Sequence, residues 1–133
     1  MSRSFGPAPS LDEIEALARA ALARFPEPFS SHLADIVLRV EDFADDETLA
    51  ELGIDDPFSL SGVYEGLPVG LKEGGAVVAM PDRIRLFRQP ILDEWIERGN
   101  ESLEHLVAHV LIHEVGHHFG LSDADMAALE EET

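Results

Sequence analysis

The sequence contains no cysteine among its 133 residues. This absence excludes disulfide bridges, thiolate metal ligands and cysteine nucleophiles together, so any metal ion must be held by histidine or carboxylate side chains. Basic residues are also few, since 9 lysines and arginines stand against 27 acidic residues and give a formal charge of -18. A charge of this sign and size opposes binding to phosphate backbones and to anionic membrane surfaces. We therefore expect neither a nucleic-acid partner nor a membrane partner.

Long apolar runs are missing as well. The apolar stretches are short and interrupted by charge, as in residues 33–40, whereas a membrane-spanning helix needs about 20 apolar residues. Residues 1–7 have no apolar core of signal-peptide length, so a cytoplasmic protein is the expectation. With 45% hydrophobic residues, the chain suits one compact domain, which we place at residues 10–133 after a flexible arm of residues 1–9.

The patterns that are present predict an α+β domain. A capping box at Ser10 and Glu13 opens a helix predicted over residues 11–24. Strands are predicted over residues 36–40, 60–64, 76–80 and 83–87, which together make a small mixed sheet of three or four strands. Further helices are predicted over residues 90–98, from a cap at Asn100 to Gly120, and from about residue 122 onward. The acidic segment 41–56 is expected to be a solvated connection with a short helix near residues 48–52.

The most informative segment reads H-E-V-G-H over residues 113–117. Two histidines four residues apart lie on one face of a helix, so His113 and His117 can bind one metal ion together. Glu114 lies at the edge of that face, where it can accept a proton from a metal-bound water that attacks a carbonyl. A catalytic zinc site takes three ligands from the protein and leaves a fourth position for water, so one more ligand is required.

The third ligand must come from beyond this turn of the helix. A glycine can adopt the left-handed conformation that ends a helix, so the chain can turn at Gly120 and bring Asp123 back toward the metal. Asp123 is the preferred third ligand, although an aspartate at this place also suits the N-cap of the last helix. Asp125 and Glu130 remain alternative third ligands.

Other polar residues near the motif have a simpler interpretation. His105 and His109 continue the four-residue series, which suggests a second metal pair at these two residues. Successive steps of four rotate by about 40° around a helix, however, and this favours ordinary roles for both, at the surface or beside the metal ligands. The only tyrosine, Tyr64, is expected to pack rather than to stabilise a reacting oxyanion. Arg83 and Arg85 share one face of a strand and are expected to pair with local acids. If that strand lies at a sheet edge, its backbone can align an extended peptide.

The string H-E-x-x-H-x-x-G-x-x-D over residues 113–123 resembles the zincin metallopeptidases. It is similar to the metzincin-type consensus with the last histidine replaced by aspartate, as in snapalysin-like enzymes. Segments at residues 40–43, 62–68 and 81–88 extend the resemblance to the minimal zincin-like family of small bacterial proteins, from about residue 27 onward. The resemblance implies a single-domain zincin-like fold, with the sheet against the motif helix and the N-terminal helix. It also implies Zn²⁺ at His113, His117 and Asp123, with Glu114 as the general base.

Three functions are compatible with these features. The leading interpretation is a zinc-dependent metallopeptidase that hydrolyses a peptide or protein substrate. A zinc-binding protein without turnover is the alternative, because Met126 lies too close to Asp123 to form a separate methionine turn and the chain is short for a second lobe. A metal-dependent RNA nuclease is less favoured: a family of bacterial metalloproteins that process ribosomal RNA has the same ligand spacing, but it lacks the glutamate after the first histidine. No feature of the sequence selects an oligomeric state.

Overall fold

The computed structural model describes residues 8–66, 70–71, 77–78 and 82–132. Within these ranges the helices are α1 (Leu11–Ala23), α2 (Phe29–Leu33), α3 (Asp46–Leu52), α4 (Arg88–Arg98), α5 (Leu103–Phe119) and α6 (Asp123–Glu132). The strands are β1 (Val37–Glu41), β2 (Gly62–Glu65), β3 (Gly70–Leu71), β4 (Val77–Val78) and β5 (Arg83–Phe87). Most of the predicted arm, residues 1–7, and the outer residues of the strand predicted over 76–80 lie outside the described residues.

The strand β5 lies at the centre of a three-stranded mixed sheet. It pairs in parallel with β1 and antiparallel with β2, which gives the order β1-β5-β2. The short strands β3 and β4 form a separate antiparallel pair. The predicted α+β fold with a small mixed sheet is therefore confirmed. The suggestion that β5 aligns a peptide at a sheet edge is wrong, because β1 and β2 cover both of its edges.

Both faces of β5 are buried, although its alternating sequence predicted one apolar face. Ile84 and Leu86 join the main core. On the opposite face Phe87 packs with Ala44 and Leu49, which belong to the acidic segment before and within α3. The acidic segment is therefore more than a solvated connection, because α3 covers the second face of the sheet.

Arg85 is the charged residue that this second face buries, with only 7% of its surface exposed. Its guanidinium donates hydrogen bonds to Glu41 Oε2 at 2.8 Å, to Asp45 Oδ1 at 2.6 Å and to Thr48 Oγ1 at 2.8 Å. Asp45 is also the N-cap of α3, where its carboxylate accepts from the backbone N–H of Thr48. Hydrogen bonds from Thr48 and from Arg85 lower the pKa of the Asp45 carboxyl well below its ordinary value. Arg85 therefore ties the start of α3 to the centre of the sheet.

The main core lies between α1, α5 and the sheet. The capping box of α1 is confirmed, since Ser10 Oγ accepts from the backbone N–H of Glu13 and the Glu13 carboxylate accepts from the N–H of Ser10. The middle of α5 is apolar on several sides and buries residues that include Leu106, Val107, Leu111, Ile112 and Val115. None of the described helices combines the length and apolarity that a membrane crossing requires.

The start of α5 differs from its prediction. Gly99 ends α4 with a left-handed φ of 73°, and Ser102 rather than Asn100 accepts the capping hydrogen bond from the N–H of His105. The indole of Trp95 donates to the carbonyl of Glu101 at 2.8 Å and ties the connection to α4. The cap therefore lies two residues later, because the chain must first turn away from α4. The predicted end of α5 at Gly120 is confirmed, with φ 71°.

Replacing Arg85 with methionine should lower the free energy of unfolding by about 2 kcal/mol near neutral pH, because the carboxylates of Glu41, Asp45 and Glu65 lose a buried charged partner. The folded-state pKa of Asp45 lies below its unfolded value. The corresponding stabilisation is thus present above the unfolded pKa and is lost as pH falls through the folded pKa. The difference between variant and wild type should therefore shrink below about pH 4.

Urea unfolding of both proteins at neutral and at acidic pH measures this difference. Arg39→Met is the matched control, since Arg39 is the register partner of Arg85 on β1 but is exposed. A deficit for Arg85→Met that is equal at both pH values would contradict the assigned role.

Candidate metal centre

The two motif histidines lie on the last turns of α5. The ring centroids of His113 and His117 are 5.9 Å apart and their planes are nearly perpendicular, at 83°. His113 is partly buried and His117 is exposed. Burial, and next the nearby His109, lower the pKa of His113. His113 is therefore held in the neutral form that binds metals.

The turn after Gly120 decides which carboxylates are available to a metal. Ser122 is the cap of α6, since its Oγ accepts from the N–H of Asp125 at 3.1 Å and its own N–H donates to Asp125 Oδ2 at 3.3 Å. The alternative role of Asp123 as the N-cap is thus taken by Ser122, and the Asp125 carboxylate is engaged in the same box. Asp123 is exposed at the first position of α6, close enough to His113 to influence its pKa.

The approach of α6 to α5 depends on Gly116, inside the motif. Met126 is buried against it, and a Cβ added at Gly116 would lie 2.4 Å from Met126 Sδ. Leu129, one turn later, is also buried. Because Gly116 has no side chain, α6 lies directly on the backbone of α5. This contact helps to set how close Asp123 and Glu130 of α6 lie to the histidines of α5.

The structure brings together a ligand set that differs from the predicted one. One ligand atom from each of His109, His113 and Glu130 lies within 4.8 Å of the other two, and no other such trio occurs in the described part of the chain. The ligand atoms of His113, His117 and Asp123 do not all lie within 4.8 Å of one another. Glu130 was an alternative third ligand, whereas His109 was expected at the surface. The one feature of the sequence that indicates His109 as a ligand is its four-residue spacing from His113.

Glu114 lies against the edge strand β2. Burial raises the pKa of its carboxyl to about 7, although the carboxylate also accepts a hydrogen bond from the backbone N–H of Tyr64. The N–H of Phe87 donates to the carbonyl of Ser61, so in the antiparallel register Tyr64 occupies a position whose N–H points away from β5. The candidate base is therefore oriented by β2, on the side of that strand that faces away from β5.

The side chain of Tyr64 holds β2 against the end of α5. Its ring stacks on His118 with centroids 3.9 Å apart and an angle of 18°, and its hydroxyl donates to Asp82 Oδ2 at 2.6 Å. Burial and this hydrogen bond raise the pKa of Tyr64 above its ordinary value, so the hydroxyl stays protonated. The expectation that Tyr64 packs is confirmed, since its ring lies on that of His118 beside the motif.

The remaining polar residues near the motif have acidic partners. His105 contacts Glu101 in the connection before α5, and Arg83 donates to Glu65 Oε1 at 2.7 Å. The expectation that Arg83 and Arg85 pair with local acids is confirmed. The donor set that remains around His113 consists of imidazole nitrogens and carboxylate oxygens, which are the ligands that zinc accepts in the absence of thiolates.

Comparison with known proteins agrees with this donor chemistry. The sequence model described as zincin-like metallopeptidase matches residues 33–133, which begin at the end of α2 and include all later elements. The curated proteins contain no match to the chain.

Replacing Gly116 with alanine should lower the free energy of unfolding by about 1 to 3 kcal/mol, even though alanine favours helix, because the new methyl group collides with Met126 Sδ. A double-mutant cycle with Met126→Ala measures the coupling by urea unfolding. The double variant should be more stable than the sum of the two single effects predicts. Strict additivity would contradict the close contact between α5 and α6.

Proposed function

The chain belongs to the zincin-like metallopeptidase family, and from this membership we propose that it is a zinc-dependent peptidase with Glu114 as the general base. The observation that carries the proposal is the environment of Glu114. Its carboxyl is partly buried, has a pKa of about 7 and lies beside both motif histidines on one helix. A general base is most effective when its pKa lies near the working pH.

We propose His113, His117 and Asp123 as the zinc ligands of the catalytic site. The two imidazoles share one face of α5, and the capping box of Ser122 and Asp125 leaves the Asp123 carboxylate outside the helix cap. Zinc bound there would supply a Lewis acid that polarises a carbonyl and lowers the pKa of water to about 7. Two neutral imidazoles and one carboxylate suit this ion.

The residues around Glu114 define the proton transfers of the reaction. Glu114 accepts the proton of the attacking water and then donates it to the amine that leaves the cleaved peptide bond. The N–H of Tyr64 holds the Glu114 carboxyl in place during both steps, and the packing of Tyr64 on His118 keeps that N–H fixed.

The proposed substrate is a peptide in an extended conformation. The strand β2 is an edge of the sheet and lies next to Glu114, so a peptide laid along its outer side would place a carbonyl near the base. The sequence suggests this role for β5 only if β5 lies at a sheet edge. We transfer it to β2, because β5 is central and its backbone groups are already paired.

Replacing Glu114 with glutamine should lower peptidase activity at least about 100-fold, because the general base is lost. Zinc binding should be retained, because no zinc ligand is changed. Hydrolysis of a mixture of quenched fluorescent peptides and metal analysis of the purified protein measure the two properties. Glu104→Gln is the matched control, since Glu104 is an exposed glutamate on the same helix. If Glu114→Gln keeps full activity, the assigned base is wrong. If the zinc-loaded wild type cleaves no peptide, the alternative of zinc binding without turnover replaces the proposal.

Replacing Asp123 with alanine should raise the zinc concentration that supports half-maximal activity at least about tenfold, because one ligand is removed. The control Asp125→Ala should lose about 1 kcal/mol of stability through the α6 cap but keep the same zinc requirement. A zinc titration of peptide hydrolysis compares the two variants. A wild-type protein that carries no transition metal and gains none from micromolar zinc would refute the proposed site.

A further inference from the structure

A second group of side chains that can bind a metal lies one turn of α5 before the proposed catalytic site. His109 and His113 are four residues apart on α5, and their ring centroids are 4.2 Å apart with an angle of 43°. Glu130 on α6 contacts Nδ1 of His109. One ligand atom from each of the three lies within 4.8 Å of the others. Ligand atoms around a tetrahedral zinc are separated by roughly 3.4 Å, so small side-chain movements suffice to form a bound site.

An ion pair alone explains only part of this arrangement. Contact with Glu130 accounts for the position of the His109 ring, but the His113 ring also lies only 4.2 Å from that of His109, measured between centroids. Two imidazoles and one carboxylate gathered in this way form a set of donors that a divalent cation would satisfy.

The burial of these side chains distinguishes them from an adventitious surface cluster. The side chains of His109 and Glu130 are only 29% and 25% exposed. Glu130 is four residues after Met126, so both lie on the face of α6 that packs on α5. The Gly116–Met126 contact therefore fixes Glu130 over α5 through the packing of two helices.

We propose that His109, His113 and Glu130 form a second transition-metal site, for Zn²⁺ or a similar divalent cation, which shares His113 with the site of His117 and Asp123. Imidazole nitrogens select such cations over Mg²⁺ and Ca²⁺, which prefer oxygen ligands throughout. A neutral imidazole binds a metal through one ring nitrogen, so each chain holds one ion in one site or the other.

A single ion can therefore bind at either of two positions, which lie about one helical turn or 5.4 Å apart along α5. In the second position the ion is withdrawn from His117 and Asp123, and zinc is held without peptide hydrolysis. This consequence rests on the proposed peptidase function. The existence of the second site does not, because it is tested by metal binding alone.

The double variant His117→Ala with Asp123→Ala removes the proposed catalytic ligands and keeps the second set intact. The full-length double variant should bind one Zn²⁺ per chain in isothermal titration calorimetry, and Co²⁺ should produce a ligand-field absorption spectrum. Adding Glu130→Gln, which preserves side-chain size, or His109→Ala should weaken Zn²⁺ binding at least tenfold. Adding His105→Ala should change nothing, since His105 is an exposed histidine of the same helix.

Three results would overturn the proposal. The first is a double variant that binds no Zn²⁺, and the second is binding that neither Glu130→Gln nor His109→Ala weakens. The third is two ions per wild-type chain, which would refute the sharing of His113. Unfolding curves of each variant establish that it is folded, and Glu130→Gln keeps the test decisive if His109→Ala is unstable.

The two proposals fail in different ways. A wild type that cleaves no peptide, together with a double variant that binds Zn²⁺ through Glu130, contradicts only the peptidase function. A wild type that cleaves peptides, together with a double variant that binds no Zn²⁺, contradicts only the second site.

Discussion

The contact of Met126 with the bare backbone at Gly116 holds α6 on α5, and the polar chemistry of the chain depends on it. All the histidines of the proposed sites lie on α5, whereas both carboxylates assigned to them, Asp123 and Glu130, lie on α6. A side chain at Gly116 would move α6 outward and separate the two kinds of ligand. The glycine of the motif thus has a packing role in addition to the roles of its histidines and glutamate.

The second constraint is the central position of β5, which separates two faces with different chemistry. One face carries the apolar side chains that support α1 and α5, and the other carries Arg85 among acidic residues. In a chain with 27 acidic residues and 9 basic ones, this buried arginine gathers carboxylates that would otherwise repel each other. The rigid sheet in turn fixes β2, whose edge orients Glu114.

The environment of Glu114 links the fold to the proposed reaction. A carboxyl group in an apolar surrounding resists ionisation, and the hydrogen bond from Tyr64 compensates only in part. The result is a group that can both accept and release a proton near neutral pH, which a fully solvated glutamate does poorly. Burial also favours the neutral form of His113, the histidine next to Glu114 in the sequence.

The features that the sequence determined alone are those that local geometry controls. Helical periodicity placed His113, Glu114 and His117 on neighbouring positions of one turn, and the conformational freedom of glycine predicted the end of α5 at Gly120. The tertiary structure decided the rest. The burial of Arg85 depends on α3 crossing the sheet, and the meeting of His109 with Glu130 joins residues 21 positions apart. Such contacts arise from how helices and strands pack, and no spacing along the chain encodes that packing.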